Sequence, residues 1–225
     1  MQFNLAQREI TLKIVYYGPA LSGKTTNLQS IHKLIKPEGR GRLMTLDTRD
    51  DRTLFFDLLP VFFETASGFK VKLKLFTVPG QVIHNSTRRI VLAGADAVAF
   101  IADSQRTMTK ANNESWANMH ENLKLNGLNP DEIPAAIQFN KRDLKDIKSD
   151  AEVDDVAKKG REPVFRAIAT QGAGVMETLF GLLKNTWGSL NTRHSFEQKF
   201  RISQVEFLEN IFKHMDLGAG PLPFK

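Results

Sequence analysis

Residues 18–25, with the sequence GPALSGKT, place two glycines, a lysine and a threonine at the spacing of a phosphate-binding loop. In such a loop the backbone N–H groups surround an anion, and the helix that follows adds a partial positive charge. Lys24 is expected to reach the β- and γ-phosphates of a nucleotide, and Thr25 to bind Mg²⁺ through its hydroxyl. The predicted phosphate contacts are Gly18, Ala20, Leu21, Ser22, Gly23, Lys24, Thr25 and Thr26.

A second motif, NKRD at 140–143, follows an apolar run and is typical of a guanine-binding loop. The carboxylate of Asp143 would accept from guanine N1–H and from the exocyclic amine, and hydrogen bonds to a charged group contribute about 1.5–3 kcal/mol each. Adenine has no donors at these positions, so a pocket built this way rejects it strongly. The predicted base contacts are Asn140, Lys141, Asp143 and the backbone N–H of Ala169, which would donate to guanine O6.

A third motif, FTVPGQ at 76–81, ends a predicted strand and suits a γ-phosphate sensor. Gly80 would donate its backbone N–H to the γ-phosphate, and Gln81 would orient the attacking water. Upstream, Thr53 is a candidate for completing the Mg²⁺ shell together with Thr25. Arg52 is a candidate for neutralising transition-state charge, although by spacing alone it is better explained as a surface arginine. The candidate catalytic residues are therefore Gln81, Arg52 and Lys24.

Strands and helices alternate along the chain in a way that would bring these motifs together. Apolar and β-branched runs predict strands at 10–17, 42–47, 58–65, 70–78, 95–102, 135–141 and 164–169. Helical periodicity predicts a helix after the phosphate loop and others over 110–125, 151–159 and 175–189. The sequence therefore predicts an α/β fold: a mostly parallel central sheet with one antiparallel strand pair and helices on both faces.

Composition narrows the class of protein further. The 225 residues fit one large domain, and the absence of cysteine excludes disulfides and thiolate metal sites. The chain has neither a secretory signal pattern nor an apolar run long enough to span a bilayer, so we expect a cytoplasmic protein without membrane insertion. The net charge of +6 comes from scattered lysines and arginines, and we expect no nucleic-acid binding.

The C-terminal segment, 191–225, is expected to form a helical extension to a nucleotide-binding domain at 7–190. Apolar residues recur at helical spacing in this segment: Phe196, Phe200, Val205, Leu208, Phe212 and Met215. This stripe fits packing on the domain, a partner surface or a helix in a membrane interface, although its polar face is not strongly basic.

Five blocks, GPALSGKTTN, DRTLFFDLLP, TVPGQ, ADSQ and NKRD, occur in an order that resembles the MglA-type bacterial small GTPases over about residues 7–190. The resemblance implies a P-loop small G-domain that binds GTP, GDP and Mg²⁺ and switches cell polarity or motility. It also implies a monomer recruited to a cell pole, a homodimeric roadblock-type partner, MglB, that stimulates hydrolysis, and effectors that read the bound state. A switch-region strand would slide between states. By motif match, the family's cis arginine is Arg52, its switch threonine Thr53 and its glutamine Gln81.

Two residues depart from the broader Ras pattern. Thr77 stands where an aspartate usually supports Mg²⁺, a replacement that the MglA group shares, and Ala20 stands where glycine is usual. A methyl group near the γ-phosphate predicts slow intrinsic hydrolysis, because a displacement of about 1 Å costs on the order of 10²-fold in rate. The alternative is a GTP-binding scaffold with negligible hydrolysis. A P-loop kinase is disfavoured by the guanine motif, and mutation of Asp143 would distinguish it.

Overall fold

A single sheet organises the chain, whose computed structural model describes residues 1–4, 6–46 and 56–213. The strands are β1 (Gln2–Asn4), β2 (Glu9–Tyr17), β3 (Met44–Leu46), β4 (Phe56–Glu64), β5 (Lys70–Thr77), β6 (Ala97–Asp103), β7 (Ala135–Asn140) and β8 (Val164–Arg166). Their order across the sheet is β3-β4-β5-β2-β6-β7-β8, and β1 pairs with β2.

The central strands β5, β2, β6, β7 and β8 are parallel, as the alternation of strands and helices predicted. The predicted antiparallel pair is β4 with β5, joined by a short turn. Two further antiparallel pairs, β1 with β2 and β3 with β4, were not predicted. Strand β3 lies within the strand predicted at 42–47, whereas no strand was predicted at β1. Because parallel strands end at one edge of the sheet, the loops after β2, β5 and β7 converge there.

Helices cover both faces of this sheet. They are α1 (Lys24–Leu34), α2 (Asn85–Leu92), α3 (Thr109–Leu125), α4 (Asp150–Lys159), α5 (Val175–His194), α6 (Phe196–Phe200) and α7 (Gln204–Lys213). The sequence did not indicate α2, because Asn85-Ser86-Thr87 resembles a turn and the apolar run that follows is short. Helix α4 begins at a capping box formed by Ser149 and Glu152, which satisfies two backbone donors of its first turn.

The period-2 alternation of β2 divides the buried side chains between two cores. Ile10, Leu12 and Ile14 face a core that α1 and α5 cover. Val15 and Tyr17 face a second core that α2 and α3 cover. The central strands are consequently buried on both sides, which fixes the sheet edge where the three motifs meet.

Helices α6 and α7 of the C-terminal segment pack against the first core, and packing on the domain was one of the three alternatives for the apolar stripe of this segment. Phe196 and Phe207 are fully buried in the first core, and the Phe207 ring meets Phe63 of β4 edge-on at 5.4 Å between centroids. Val205 is 62% exposed and lies outside this packing, whereas Phe212 and Met215 lie outside the described side chains. Among the helices of the described residues, none has the length and apolarity required to cross a bilayer.

Candidate nucleotide site

The phosphate loop connects β2 to α1 and presents an uncapped helix N-terminus. Helix α1 begins at Lys24 without a side-chain cap and without an acidic residue in its first turn. Its first N–H groups therefore remain available to an anion. Gly18 and Gly23 have φ of 146° and 99°, and Leu21 has φ of 61°. These left-handed conformations turn the loop around a cavity.

Neither glycine of the loop can be replaced by a larger residue without a steric clash. A Cβ atom at residue 18 would overlap the carbonyl oxygen of Ile101, and one at residue 23 would overlap the side-chain amide of Asn140. The second contact joins the phosphate loop directly to the predicted base loop. The two motifs, which are more than a hundred residues apart in sequence, thus form one continuous surface.

Lys24 is buried at the floor of the loop. Its ammonium group donates to the carbonyl oxygens of Gly18 at 3.0 Å and Pro19 at 2.6 Å. Burial, with a further contribution from the charge of Arg88, lowers the pKa of Lys24 to about 7, although Asp57 acts in the opposite direction. A nearby anion favours a charged lysine. A bound polyphosphate would supply that anion, so this lysine fits the predicted nucleotide.

The metal side of the site contains a carboxylate that the sequence did not indicate. Asp57 of β4 is 5% exposed, and its Oδ2 accepts from the hydroxyl of Thr25 at 2.6 Å and from that of Thr77 at 2.9 Å. Its Oδ1 accepts from Thr45 at 2.8 Å. The register of β4 against β5 places Asp57 opposite Thr77. The carboxylate of Asp57 therefore lies beside the residue that replaces the usual aspartate.

The oxygen atoms around Asp57 fit the predicted magnesium ion. Mg²⁺ prefers one or two carboxylates together with hydroxyl, water and phosphate oxygens. Thr25 and Asp57 line a cleft of about 500 Å³ that also includes Gly23, Lys24 and Gly80. The other predicted metal ligand, Thr53, and the candidate catalytic Arg52 lie outside the described residues.

The turn after β5 packs against the phosphate loop. A Cβ atom at Gly80 would overlap the backbone of Ala20, so only glycine fits there. Arg88 of α2 is buried and donates to the carbonyl oxygens of Pro79 and Gly80, both at 2.9 Å. Gln81 follows the turn with an exposed side chain. Arg88, one of two adjacent arginines, belongs to no motif that would have indicated this role.

The base loop forms a cavity of about 170 Å³ beside the phosphate loop. Asn140 holds this cavity together, since its amide donates to Ser22 O at 2.8 Å and its Oδ1 accepts from Ala169 N–H at 2.9 Å. A guanine O6 would therefore share the Ala169 donor with Asn140. The lining includes Leu21, Gly23, Thr26, Asn140, Lys141, Asp143 and Ala169. Asp143 is exposed at the cavity wall.

Lys141 forms the other fixed wall of the base cavity. Its backbone is left-handed, with φ of 66°, and its ammonium group pairs with the carboxylate of Asp103 at 2.6 Å. Asp103 is 1% exposed and ends β6, so this pair connects two neighbouring strand ends. Lys141 therefore lines the cavity, and Asp103 neutralises the charge at the end of its aliphatic stem.

A phosphate loop, a Gly-Gln turn and an Asn-Lys-x-Asp base loop on one edge of a sheet with this topology define a small GTPase domain. The chain is 45% identical to the "Mutual gliding-motility protein MglA" of Myxococcus xanthus (strain DK1622) over 181 residues, which are 80% of this chain and 93% of that protein. The chain therefore belongs to the MglA family of small GTPases. No family model matches the chain.

Proposed function

We propose that this protein is a molecular switch that binds GTP and GDP with Mg²⁺ and hydrolyses bound GTP slowly. The observation that carries this proposal is the Asn140 side chain, which joins the phosphate loop at Ser22 to the base loop at Ala169. The N-terminus of α1 suits phosphate groups, and the carboxylate of Asp143 beside it suits a guanine base, so the connected site suits a guanine nucleotide. The carboxylate of Asp143 would then select guanine over adenine by accepting from the N1–H and the exocyclic amine of guanine.

The phosphate side supplies groups for hydrolysis. Lys24 and the N-terminus of α1 would hold the phosphates, and Thr25 with Asp57 would hold Mg²⁺. When bound, that ion neutralises charge on the phosphate oxygens. The backbone N–H of Gly80 would donate to the γ-phosphate, and Gln81 would orient the attacking water. As the family pattern implies, Thr53 is proposed to complete the Mg²⁺ shell, and Arg52 is proposed to neutralise charge in the transition state.

Ala20 is proposed to make the intrinsic rate slow. Its backbone lies against Gly80, and we propose that its methyl group enters the space where the γ-phosphate, Gln81 and water must converge. We infer that a roadblock-type homodimeric partner of the MglB kind stimulates hydrolysis. Effector proteins would read the GTP state. Because the relative is named for gliding motility, we propose a role in motility or polarity for a cytoplasmic monomer recruited to a cell pole.

Single-turnover hydrolysis of bound GTP, with and without the roadblock-type partner, tests this proposal. We expect a slow basal rate that the partner increases and that Gln81→Leu reduces. A flat time course in both conditions, with tight GTP binding retained, would instead support the GTP-binding scaffold. The contact between Gly80 and Ala20 favours that second candidate, because it narrows the space for the γ-phosphate.

A further inference from the structure

Between Leu58 and Phe63, strand β4 is apolar on both of its faces. Its inward side chains Leu59, Val61 and Phe63 are buried in the first core. Its outward side chains Leu58, Pro60 and Phe62 are half-buried and also apolar. An antiparallel strand near a sheet edge usually alternates apolar and polar residues when one face meets water. From Leu58 to Phe62 the outward face of β4 therefore lacks the polar residues that solvent would favour, and exposed Glu64, opposite Lys70, is the polar residue at the end of this row.

Three lysines stand beside this apolar row on the same face of the sheet. The register pairs Pro60 with Lys74 and Phe62 with Lys72, and it pairs Lys74 in turn with Lys13 of β2. The Lys72 ammonium group lies 5.3 Å from the centre of the Phe62 ring. We call these six residues the lysine–apolar face: Leu58, Pro60, Phe62, Lys72, Lys74 and Lys13.

The charges on this face are poorly compensated. Like charges directly opposite each other in a sheet destabilise it, and Lys13 and Lys74 are such a pair. Lys13 has the nearby carboxylate of Asp96 and donates to Ala93 O at 2.8 Å. Neither Lys72 nor Lys74 forms an ion pair within residues 1–4, 6–46 and 56–213.

Among the described residues, the helices that contact β4 pack on its other face. Helices α1 and α7 pack on the opposite face of β4, against the first core. Helices α2 and α3 are on the same side as the lysines, but they pack over the second core, which lies under the central strands. Phe56 and Phe76, next to one end of the face, pack against that second core, and in the part of the chain that the structure describes none of the six residues of the face belongs to it.

We propose that the lysine–apolar face docks a protein segment that carries acidic and apolar side chains together. Acidic groups would neutralise Lys72 and Lys74, and apolar groups would cover Pro60 and Phe62. Charge complementarity of this kind fixes partner choice and accelerates association. This proposal is independent of hydrolysis, because none of the six residues contacts the predicted nucleotide site.

Two other occupants fit this face less well. A second copy in a two-fold interface would place the same patch on both sides, and the lysines would then repel each other. A lipid surface requires apolar side chains that protrude from the protein. Leu58, Pro60 and Phe62 are half-buried, whereas more exposed large apolar side chains, such as Ile83 and Ile90, lie elsewhere.

Two labelled polymers serve as probes for the full-length protein: poly-glutamate and a glutamate–tyrosine copolymer of the same length. We expect tighter binding of the copolymer, measured by fluorescence anisotropy. The Lys72→Glu/Lys74→Glu variant should lose at least about tenfold in affinity for both polymers. Phe62→Ser should weaken binding of the copolymer only. Lys158→Glu/Lys159→Glu, on the exposed surface of α4, makes the same change in net charge and should bind as the wild type does.

Three results would overturn the proposal. One is equal affinity for the two polymers, and the second is an equal loss in both lysine double variants, since net charge alone would then explain binding. The third is binding to phosphatidylglycerol vesicles, but not to the copolymer, that is lost in Lys72→Glu/Lys74→Glu. That last result would assign the face to a membrane. Thermal melting of each variant establishes that it is folded before binding is compared.

Discussion

The base side and the metal side of the nucleotide site are built in different ways. On the base side, Asn140 connects the backbone of two loops and Lys141 is paired with a buried aspartate, so the cavity is held by groups that a nucleotide need not move. On the metal side, Lys24 donates to its own loop, and Thr25 donates to Asp57. Those same groups must turn to phosphate and Mg²⁺ when a nucleotide binds.

The base side is therefore preorganised, whereas the metal side must rearrange when a nucleotide binds. Preorganised sites bind more tightly because less order is lost on binding. A switch needs the second kind of site as well, because a ligand shifts a protein between states only when it contacts those states differently. The two halves therefore divide affinity and response between them. The predictions below separate these two contributions.

The largest effect is expected on the base side, from Asp143→Asn. The variant loses two hydrogen bonds to a carboxylate, each worth about 1.5–3 kcal/mol, so GDP affinity should fall about 10³-fold. Xanthine carries an oxygen in place of the exocyclic amine and pairs with an amide donor, so XDP should bind the variant better than GDP. Competition binding with GDP, XDP and ADP measures this. Retention of GDP preference would show that Asp143 does not contact the base.

A smaller effect is expected at the phosphate loop, from Ala20→Gly. The backbone of Ala20 lies against Gly80. If its methyl group crowds the γ-phosphate as proposed, removing that group should raise the intrinsic rate of GTP hydrolysis by about 10²-fold, as expected for relief of a displacement near 1 Å. Single-turnover rates without any partner measure it. Leu21→Gly is the matched control, because it adds a flexible residue to the same loop at a side chain that is 87% exposed. Equal acceleration in both variants would attribute the effect to loop flexibility.

The base loop and the phosphate loop were predictable from the sequence, whereas the buried carboxylate of the metal side was not. GPALSGKT and NKRD are contiguous motifs, so their residue types and spacing indicate their contacts directly. Asp57 lies in the block DRTLFFDLLP, but that block alone did not indicate a role for its carboxylate, which reaches the site through the register of β4 on β5. Counting back along the hairpin from the turn at Ala66–Gly68 would have placed Asp57 opposite Thr77. Arg88 also escaped prediction, because its role depends on the packing of α2.

A third effect concerns the pH dependence of stability in the nucleotide-free protein. The pKa of Lys24 is lowered by burial to about 7, from an ordinary value of 10.5. Between these values the unfolded chain binds a proton that the folded protein has released. The free energy of unfolding should therefore rise with pH from about 7 towards 10, by roughly 1 kcal/mol per unit. Below about pH 7 this contribution is constant.

Denaturant unfolding of the wild type and of Lys24→Met at pH 7, 8 and 9 measures this contribution. The wild type should gain stability relative to the variant as the pH rises. Saturating GTP should abolish the difference in slope for the wild type, since bound phosphate keeps Lys24 charged. If the two proteins show the same slope without nucleotide, Lys24 is charged in the empty site.

The most direct test of the metal side is the rate of GDP dissociation with and without Mg²⁺, compared between the wild type and Asp57→Asn. If Asp57 takes the place of the carboxylate missing at Thr77, Mg²⁺ should slow GDP release from the wild type and have about tenfold less effect on the variant, a change of about 1.4 kcal/mol. Thr45→Val is the matched control, because it removes one hydroxyl from Asp57 and leaves the carboxylate. An equal Mg²⁺ effect in wild type and Asp57→Asn would contradict the account.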